Sequence, residues 1–409
     1  MNEPKPNLGR SLAEAADRAD ELAKFRNEFV FGEENVIYLD GNSLGRLPKK
    51  GQERLTRTVQ DEWGSRLVRG WVNGWLLEPR RAADKIARLI GAKEREVLVC
   101  DSTSVNLFKL ATAALRVKNR KVILSLAGNF PSDLYVLGGV GELRTFGTVE
   151  ELLHALTDEV GVVSLSHTCY KTGQVHDMGL ITEEAQRVGA FVLWDLSHSV
   201  GVIPLQMNKY NVDMAVGCTY KYLNGGPGAP AFLYIREQLL PHLRNPIRGW
   251  FGHADPFGFQ PEFKPAETIE KFMTGTPPVL SMAALEPALD VILEAGVDRI
   301  RKKSFLLTEY LIALVNERLT KYGVSVASPI ESRKRGAHVA LAHPDAWKLT
   351  QAMIAHGVIP DFREPDILRM GLAPIYTSFV EVYDAISMLE NILANNLHVK
   401  YESSRAGVS

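Results

Sequence analysis

Between about residues 60 and 290, short β-rich apolar runs alternate with helix-like stretches, and few folds accommodate that alternation. The runs are EVLVC (96–100), KVILSL (121–126), GVVSLS (161–166), FVLWDL (191–196), DMAVGC (213–218) and AFLYI (231–235). Runs that are apolar throughout, not only at alternate residues, belong to strands buried on both faces, with helices as the cover. The pattern predicts an α/β architecture built on a mostly parallel sheet.

After about residue 300 the texture changes. SFLLTEYLIALVNERLTKYG reads as an amphipathic helix closed by Gly323. VSVAS, HVALAH, a helix from DAWKLTQAMIAHG, strand-like DILRMGL and a last helix through SFVEVYDAISMLENILANN then suggest a smaller α+β domain. The expected division is a segment 1–60 that contributes to the small domain and crosses to the large one, a large domain 61–295, and a small domain 296–409.

Composition excludes several classes. Apolar residues make up 45% and charged residues 23% of 409, and the formal net charge is −1. That balance leaves no electrostatic footprint for nucleic acid and no polybasic face for a membrane. Cys100, Cys169 and Cys218 have neither metal-type spacing nor the number for a disulfide framework, so no metal is expected and reduced, cytoplasmic thiols are. The N-terminal stretch is polar and helical in pattern, without an apolar signal region, and no run approaches transmembrane length.

In doubly wound sheets ligands bind beyond the carboxyl ends of the strands. The polar residues after these runs are DSTSVNLFK, AGNFPSD, HTCYKTG, DLSHS and TYKYLNGGPG. Lys221, between two tyrosines and a Gly-Gly-Pro-Gly turn, is either a surface charge opening a loop or an amine held for chemistry. Asp195 ends a buried-looking strand one unit earlier; alone it reads as a helix cap or an ion pair. A buried carboxylate needs a partner, and a protonated pyridine nitrogen is one. Pyridoxal phosphate joins the two: Lys221 takes the aldehyde and Asp195 keeps the ring nitrogen protonated. Ser102, Thr103 and Ser104 would seat the phosphate at a helix N-terminus, although ordinary capping explains them equally well. Phe130 could stack on a flat cofactor or belong to the core. His198 could bond the cofactor or be structural.

Seven motifs, YLDGNSLG, NLFK, NFPSD, DLSHSVG, GCTYKYLNGGPG, GWFGH and LRMGLAPIYTSF, occur in an order that closely resembles the bacterial kynureninases, from about residue 36 to about 395. The resemblance implies a fold type I pyridoxal-phosphate enzyme, with a large domain on a seven-stranded sheet, acting as a homodimer with shared active sites. It implies cofactor contacts from Thr103, Ser104, Phe130, Pro131, Ser132, Asp133, Ser166, Asp195, His198, Tyr220 and Lys221. Trp250 and Thr276 would reach the phosphate from the other subunit. Arg369 would clamp the substrate α-carboxylate, a role that suits a guanidinium fork; a structural ion pair is its plainer reading.

The implied reaction is hydrolysis of L-kynurenine to anthranilate and L-alanine in tryptophan degradation, a route that also feeds NAD biosynthesis. Lys221 would be the base at Cα and Tyr220 the acid for Cβ. Gly275 and Thr276, with Trp71, would border the substrate ring, and the Gly-Thr pair leans to kynurenine over 3-hydroxykynurenine. Rival readings are an aminotransferase and a cysteine desulfurase-like lyase. The lyase needs a nucleophilic cysteine late in the chain, and none follows Cys218.

Overall fold

The computed structural model describes residues 8–32 and 36–402. Thirteen strands form in chain order: β1 Ile37–Tyr38, β2 Val97–Val99, β3 Val122–Leu126, β4 Glu142–Phe146, β5 Val160–Ser166, β6 Phe191–Asp195, β7 Met214–Gly217, β8 Phe232–Ile235, β9 Ser325–Val326, β10 His338–Ala342, β11 Val358–Ile359, β12 Asp361–Arg363 and β13 Ile367–Gly371. The large sheet runs β2-β8-β7-β6-β5-β3-β4, and β8 is antiparallel to both its neighbours while the others run parallel. This is the expected α/β sheet.

Alternation along each strand splits its side chains between two cores. Val97, Leu124, Val163, Val192, Trp194 and Phe232 pack on one face. Leu98, Ile123, Val162, Leu193, Val216 and Leu233 pack on the other. β4 was not among the apolar runs. It is an edge strand with a single neighbour, and its ELRTF sequence carries Glu142 and Arg144, which pair with each other at 2.7 Å. Charge on an edge strand hinders further strand addition, so the polarity that hid it is appropriate to its place.

The small sheet, β12-β13-β10-β9, is antiparallel, with helices Val297–Arg318 and Phe379–Ala394 around it. Gly323 is left-handed (φ 83°) but closes a short 3₁₀ turn, Thr320–Tyr322, that follows the long helix. The last helix opens on a capping box: Glu381 N–H donates to Ser378 Oγ at 3.1 Å, and Ser378 N–H to Glu381 at 2.8 Å. The Asp17 carboxylate accepts from Phe379 and Val380 N–H at 2.7 and 3.0 Å, which fastens the N-terminal helix Arg10–Arg18 to the same end. Among the described residues, no helix is long and apolar enough to cross a membrane.

One stretch of backbone positions the site. β1 pairs in parallel with β11, Gly41 N–H donates to Gly371 C=O at 3.2 Å, and Gly45 N–H donates to Tyr220 C=O at 2.8 Å. A Cβ at Gly45 would collide with the Lys221 carbonyl and Asn224, and one at Gly371 with Asn42. Gly45→Ala is therefore expected to lower stability by about 1–3 kcal/mol, as overpacking does. Chemical denaturation checks this; an unchanged midpoint would show that the Lys221 turn yields.

Candidate active site

The carboxyl ends of β2, β3, β6 and β7 surround a cavity of about 520 Å³, within the range of small-ligand sites. Of the residues singled out by sequence, Thr103, Ser104, Phe130, Ser132, Asp133, Asp195, His198, Tyr220, Lys221 and Thr276 line it. Gly228 of the Gly-Gly-Pro-Gly turn lines it too, while sequence reasoning missed Asp101, Ser197 and Ala229–Ala231.

Two buried carboxylates share one wall. Asp195, at the end of β6, accepts from Ser197 N–H at 2.8 Å and from Ser197 Oγ at 2.6 Å. Asp133 enters from the first turn of helix Pro131–Val140, where Pro131 fills the first helical position. Burial, then the charge of Asp195, raises the Asp133 pKa well above the carboxylate range, while Lys221 pulls the other way. A buried acid pair of this kind holds a proton, or answers a donor placed between its oxygens.

Lys221 Nζ stands 3.4 Å from His198 Nε2 and lies 5.8 Å from the Phe130 ring centre. Burial, then the Lys221 charge, pushes the His198 pKa well below its ordinary value, so the ring is neutral beside the amine. Burial is also the main cause that raises the Tyr220 phenol, with Cys218 and Asp195 adding to it. Asn224 (φ 56°), Gly226 (φ 89°) and Gly228 (φ 77°) carry the left-handed backbone of the turn.

On the far side, helix Thr103–Lys118 begins at the cap Ser102, whose side chain accepts from Val105 N–H at 3.3 Å. Ser104 Oγ lies 3.1 Å from Ser132 Oγ. Two helix N-termini and several hydroxyls thus face one corner, the setting that favours a phosphate dianion. An amine for an aldehyde, an acid pair for a protonated ring nitrogen, Phe130 for a ring face and this corner for phosphate are a donor set that fits pyridoxal phosphate.

Other expected residues lie elsewhere. Ser166 donates its N–H and Oγ to Asn129 at 2.9 and 2.6 Å and is not part of the lining. Trp250 stacks on Phe259 with ring centres 5.9 Å apart, away from this chain's cavity. Thr276, expected from a second subunit, lines the cavity of its own chain; Gly275 does not, and a Cβ there would meet nothing within 4 Å. Trp71 packs edge-on to Trp75 and helps to wall a second, apolar cavity of about 470 Å³ with Trp63 and Pro277–Ser281; Pro278 borders both cavities.

Arg369 is fully buried in β13 outside the cavity lining. Nε donates to Asp361 at 2.7 Å, a second nitrogen reaches the other Asp361 oxygen, and the guanidinium also meets the Tyr170 carbonyl and Ser43. Tyr170 in turn packs edge-on to Phe130 at 5.2 Å, which connects this cluster to the cavity wall. Asp361 and Asn129 carried no sequence signal, because each acts on a partner far away along the chain.

Comparison with known proteins gives one answer. A family model described as Kynureninase C-terminal domain matches residues 300–389. The kynureninase of Pseudomonas fluorescens is 42% identical over 392 residues, covering 93% of this chain and 94% of its own. Those of Burkholderia mallei strain SAVP1 and Burkholderia pseudomallei strain 1106a are 43% identical over 397 residues, covering 94% of this chain and 95% of theirs. Among solved structures, the apo cysteine desulfurase of Thermococcus onnurineus NA1 superposes with a TM-score of 0.79 at 19% identity, over 91% of this chain and 98% of its own. The Escherichia coli cysteine desulfurase CsdA gives 0.76 at 17%, over 93% and 99%. At such identities the structural likeness speaks for the fold alone.

The acid pair sets a pH dependence. Unfolded, Asp133 ionises near pH ~4; folded, it ionises higher. Between those values the folded chain keeps a proton that the unfolded chain has released, so stability falls as pH rises through the window. Asp133→Asn should therefore stabilise the apoprotein near neutral pH and lose that advantage below about pH 4. Thermal melts across pH read this; a gain independent of pH would refute the raised pKa.

Proposed function

This chain belongs to the kynureninase family, and from that premise we propose how its residues divide the hydrolysis of L-kynurenine to anthranilate and L-alanine. The observation that carries the reading is the Lys221 amine set at the cavity between the neutral His198 and the Asp133–Asp195 pair. The cofactor is pyridoxal phosphate, which when bound supplies an electron sink for charge left at Cα and then at Cβ.

Lys221 Nζ would hold the cofactor through its aldehyde and, when free, would be the base that takes the Cα proton. Asp195, oriented by Ser197, would keep the ring nitrogen protonated, and Asp133 shares that wall. Phe130 and His198 would contact the cofactor ring, and Thr103, Ser104 and Ser132, with the two helix N-termini, would hold its phosphate. Pro131 fixes the turn that presents Ser132, and Ser166 supports it through Asn129. Tyr220 Oη gives Cβ its proton after water has added to the γ-carbonyl and the Cβ–Cγ bond has broken; its raised pKa keeps the phenol protonated at neutral pH. Arg369 takes the α-carboxylate in its fork, exchanging part of its contact with Asp361. The apolar tryptophan cavity with Trp71 adjoins through Pro278 and suits the aniline ring; the Gly275-Thr276 pair, which resembles the bacterial pattern, favours kynurenine over its 3-hydroxy form.

The assembly is proposed to be a homodimer with Trp250 of each chain at the other's phosphate. Trp63, Leu67, Val68, Val72 and Leu77 form an exposed apolar stretch, with Val72 at 81% exposure, of the kind that marks an interaction surface. The division into 1–60, 61–295 and 296–409 follows the same reading, as does cytoplasmic residence, in keeping with three free thiols.

Three measurements test this. Protein loaded with pyridoxal phosphate should show the visible band of lysine-bound cofactor and release fluorescent anthranilate from L-kynurenine, faster than it processes 3-hydroxykynurenine. Lys221→Ala should abolish release, and Tyr220→Phe should slow it by about 10²–10⁴-fold with cofactor still bound; anthranilate formed at the normal rate by Lys221→Ala would sink the scheme. Val68→Glu with Val72→Glu should yield monomers by light scattering, and a dimer of unchanged mass would move the interface elsewhere.

A further inference from the structure

The small sheet carries a second titratable residue near Lys221 that the mechanism above does not use. Across the β10–β13 ladder Ala340 stands opposite Arg369 and His338 opposite Gly371. Cross-strand partners and alternate residues share a face, so His338 and Arg369 lie on the same side of the sheet. His338 is fully buried, and neither of its ring nitrogens has a hydrogen-bond partner. Its ring centre lies 5.8 Å from that of His198, with the planes at 59°. His198 Nε2 is in turn 3.4 Å from Lys221 Nζ.

Leaving a buried polar atom unpaired is costly, and a phenyl ring would fill this space without that cost. What a phenyl ring lacks is a nitrogen lone pair. The charged groups that face His338 are Arg369, Asp361 and Arg363 from the small sheet and Lys221 from the large one, three of them cations. Burial first, then Arg369, pushes the His338 pKa down to about 3, so the imidazole stays neutral and adds no charge among them. A neutral acceptor near cations in a low-dielectric interior stabilises their protonated forms.

We propose that His338 is a positioning residue for this reaction, whose neutral ring fixes the His198 ring against Lys221 and stabilises positive charge at the lysine. The inference rests on reading Lys221 as the cofactor lysine.

The test uses holoenzyme and the pH titration of its visible cofactor band, recorded without substrate. His338→Phe should keep the cofactor, move the band's pH midpoint down by about one unit, and lower kcat by about 10- to 100-fold with KM within about twofold. His338→Gln, which restores a neutral acceptor, should recover most of both. In a His198→Gln background the change at 338 should add little, because the two act through one contact. A midpoint and kcat like wild type in His338→Phe, no recovery by His338→Gln, or full additivity with His198→Gln would each overturn the proposal. Should His338→Phe not fold, His338→Leu, which also lacks an acceptor, takes its place in the cycle with His198→Gln: additive effects overturn the proposal, and non-additive effects support it. A wild-type protein without band or anthranilate would instead defeat the parent reading, so the two failures are distinct.

Discussion

The backbone from Ile37 to Gly45 fixes the distance between the two sheets at the site. Its first residues extend the small domain through β11 and through exchange with β13, where Gly371 N–H donates to Leu39 C=O at 2.6 Å. Its last residue lies on the Lys221 turn. Between them the chain is tightly wound: Ser43 and Leu44 N–H donate to Asp40 C=O at 3.0 and 3.1 Å, and Tyr38 Oη donates to Leu44 C=O at 2.7 Å. A connection this short and this closed has little length to give. The Arg369 strand and the Lys221 turn therefore hold one spacing, which under the proposed roles a substrate would match with its carboxylate at one end and its amine at the other. Effective catalysis depends on that fixed separation more than on the strength of any one contact.

Charge is arranged around the same spacing. Burial raises Asp40 to a pKa of about 7, with Asp361 adding to the rise. Burial also opposes ionisation of Asp361, but its bonds to Arg369 and the charges of Arg369 and Arg363 outweigh it and hold its pKa below the usual range. Near neutral pH a proton on Asp40 leaves two guanidiniums against one carboxylate. That excess of one positive charge is the condition an incoming α-carboxylate would need, if, as proposed, the buried Arg369 already paired with Asp361 is to take a second anion. At the other end, Lys221 faces the Asp133–Asp195 pair, so each end of the site carries a carboxylate pair matched to a base.

The large sheet was legible because its interior strands are apolar on both faces, a signal that needs no partner to be read. β4 escaped because an edge strand is polar for good reason. In the small domain β10 and β13 were visible as apolar runs, whereas β11 and β12 are too short to show a period. Lys221, Asp195 and the Ser102–Ser104 corner were findable by their place after strands in chain order. Ser197, Asp361 and Asn129 were not, because their importance lies in hydrogen bonds to residues that only folding brings near. Thr276 is a third kind of case: its motif marked it, but no local rule says which chain's cavity it will line.

The fold is shared with cysteine desulfurases, so the chemistry must be separated by side chains and not by architecture. Sulfur transfer requires an accessible thiolate. Burial pushes the Cys100 thiol up to about 11 and raises Cys218 as well, and no cysteine follows Cys218 in the sequence. Neither buried thiol is suited to carry a persulfide. In their place the cavity has a phenol beside the lysine and an apolar annex walled by three tryptophans. A phenol held protonated is suited to quench a carbanion, and an aromatic annex to hold an aryl ketone while its carbonyl is attacked. Under the proposed division of roles, those two additions to a common scaffold would turn cleavage toward the carbon–carbon bond.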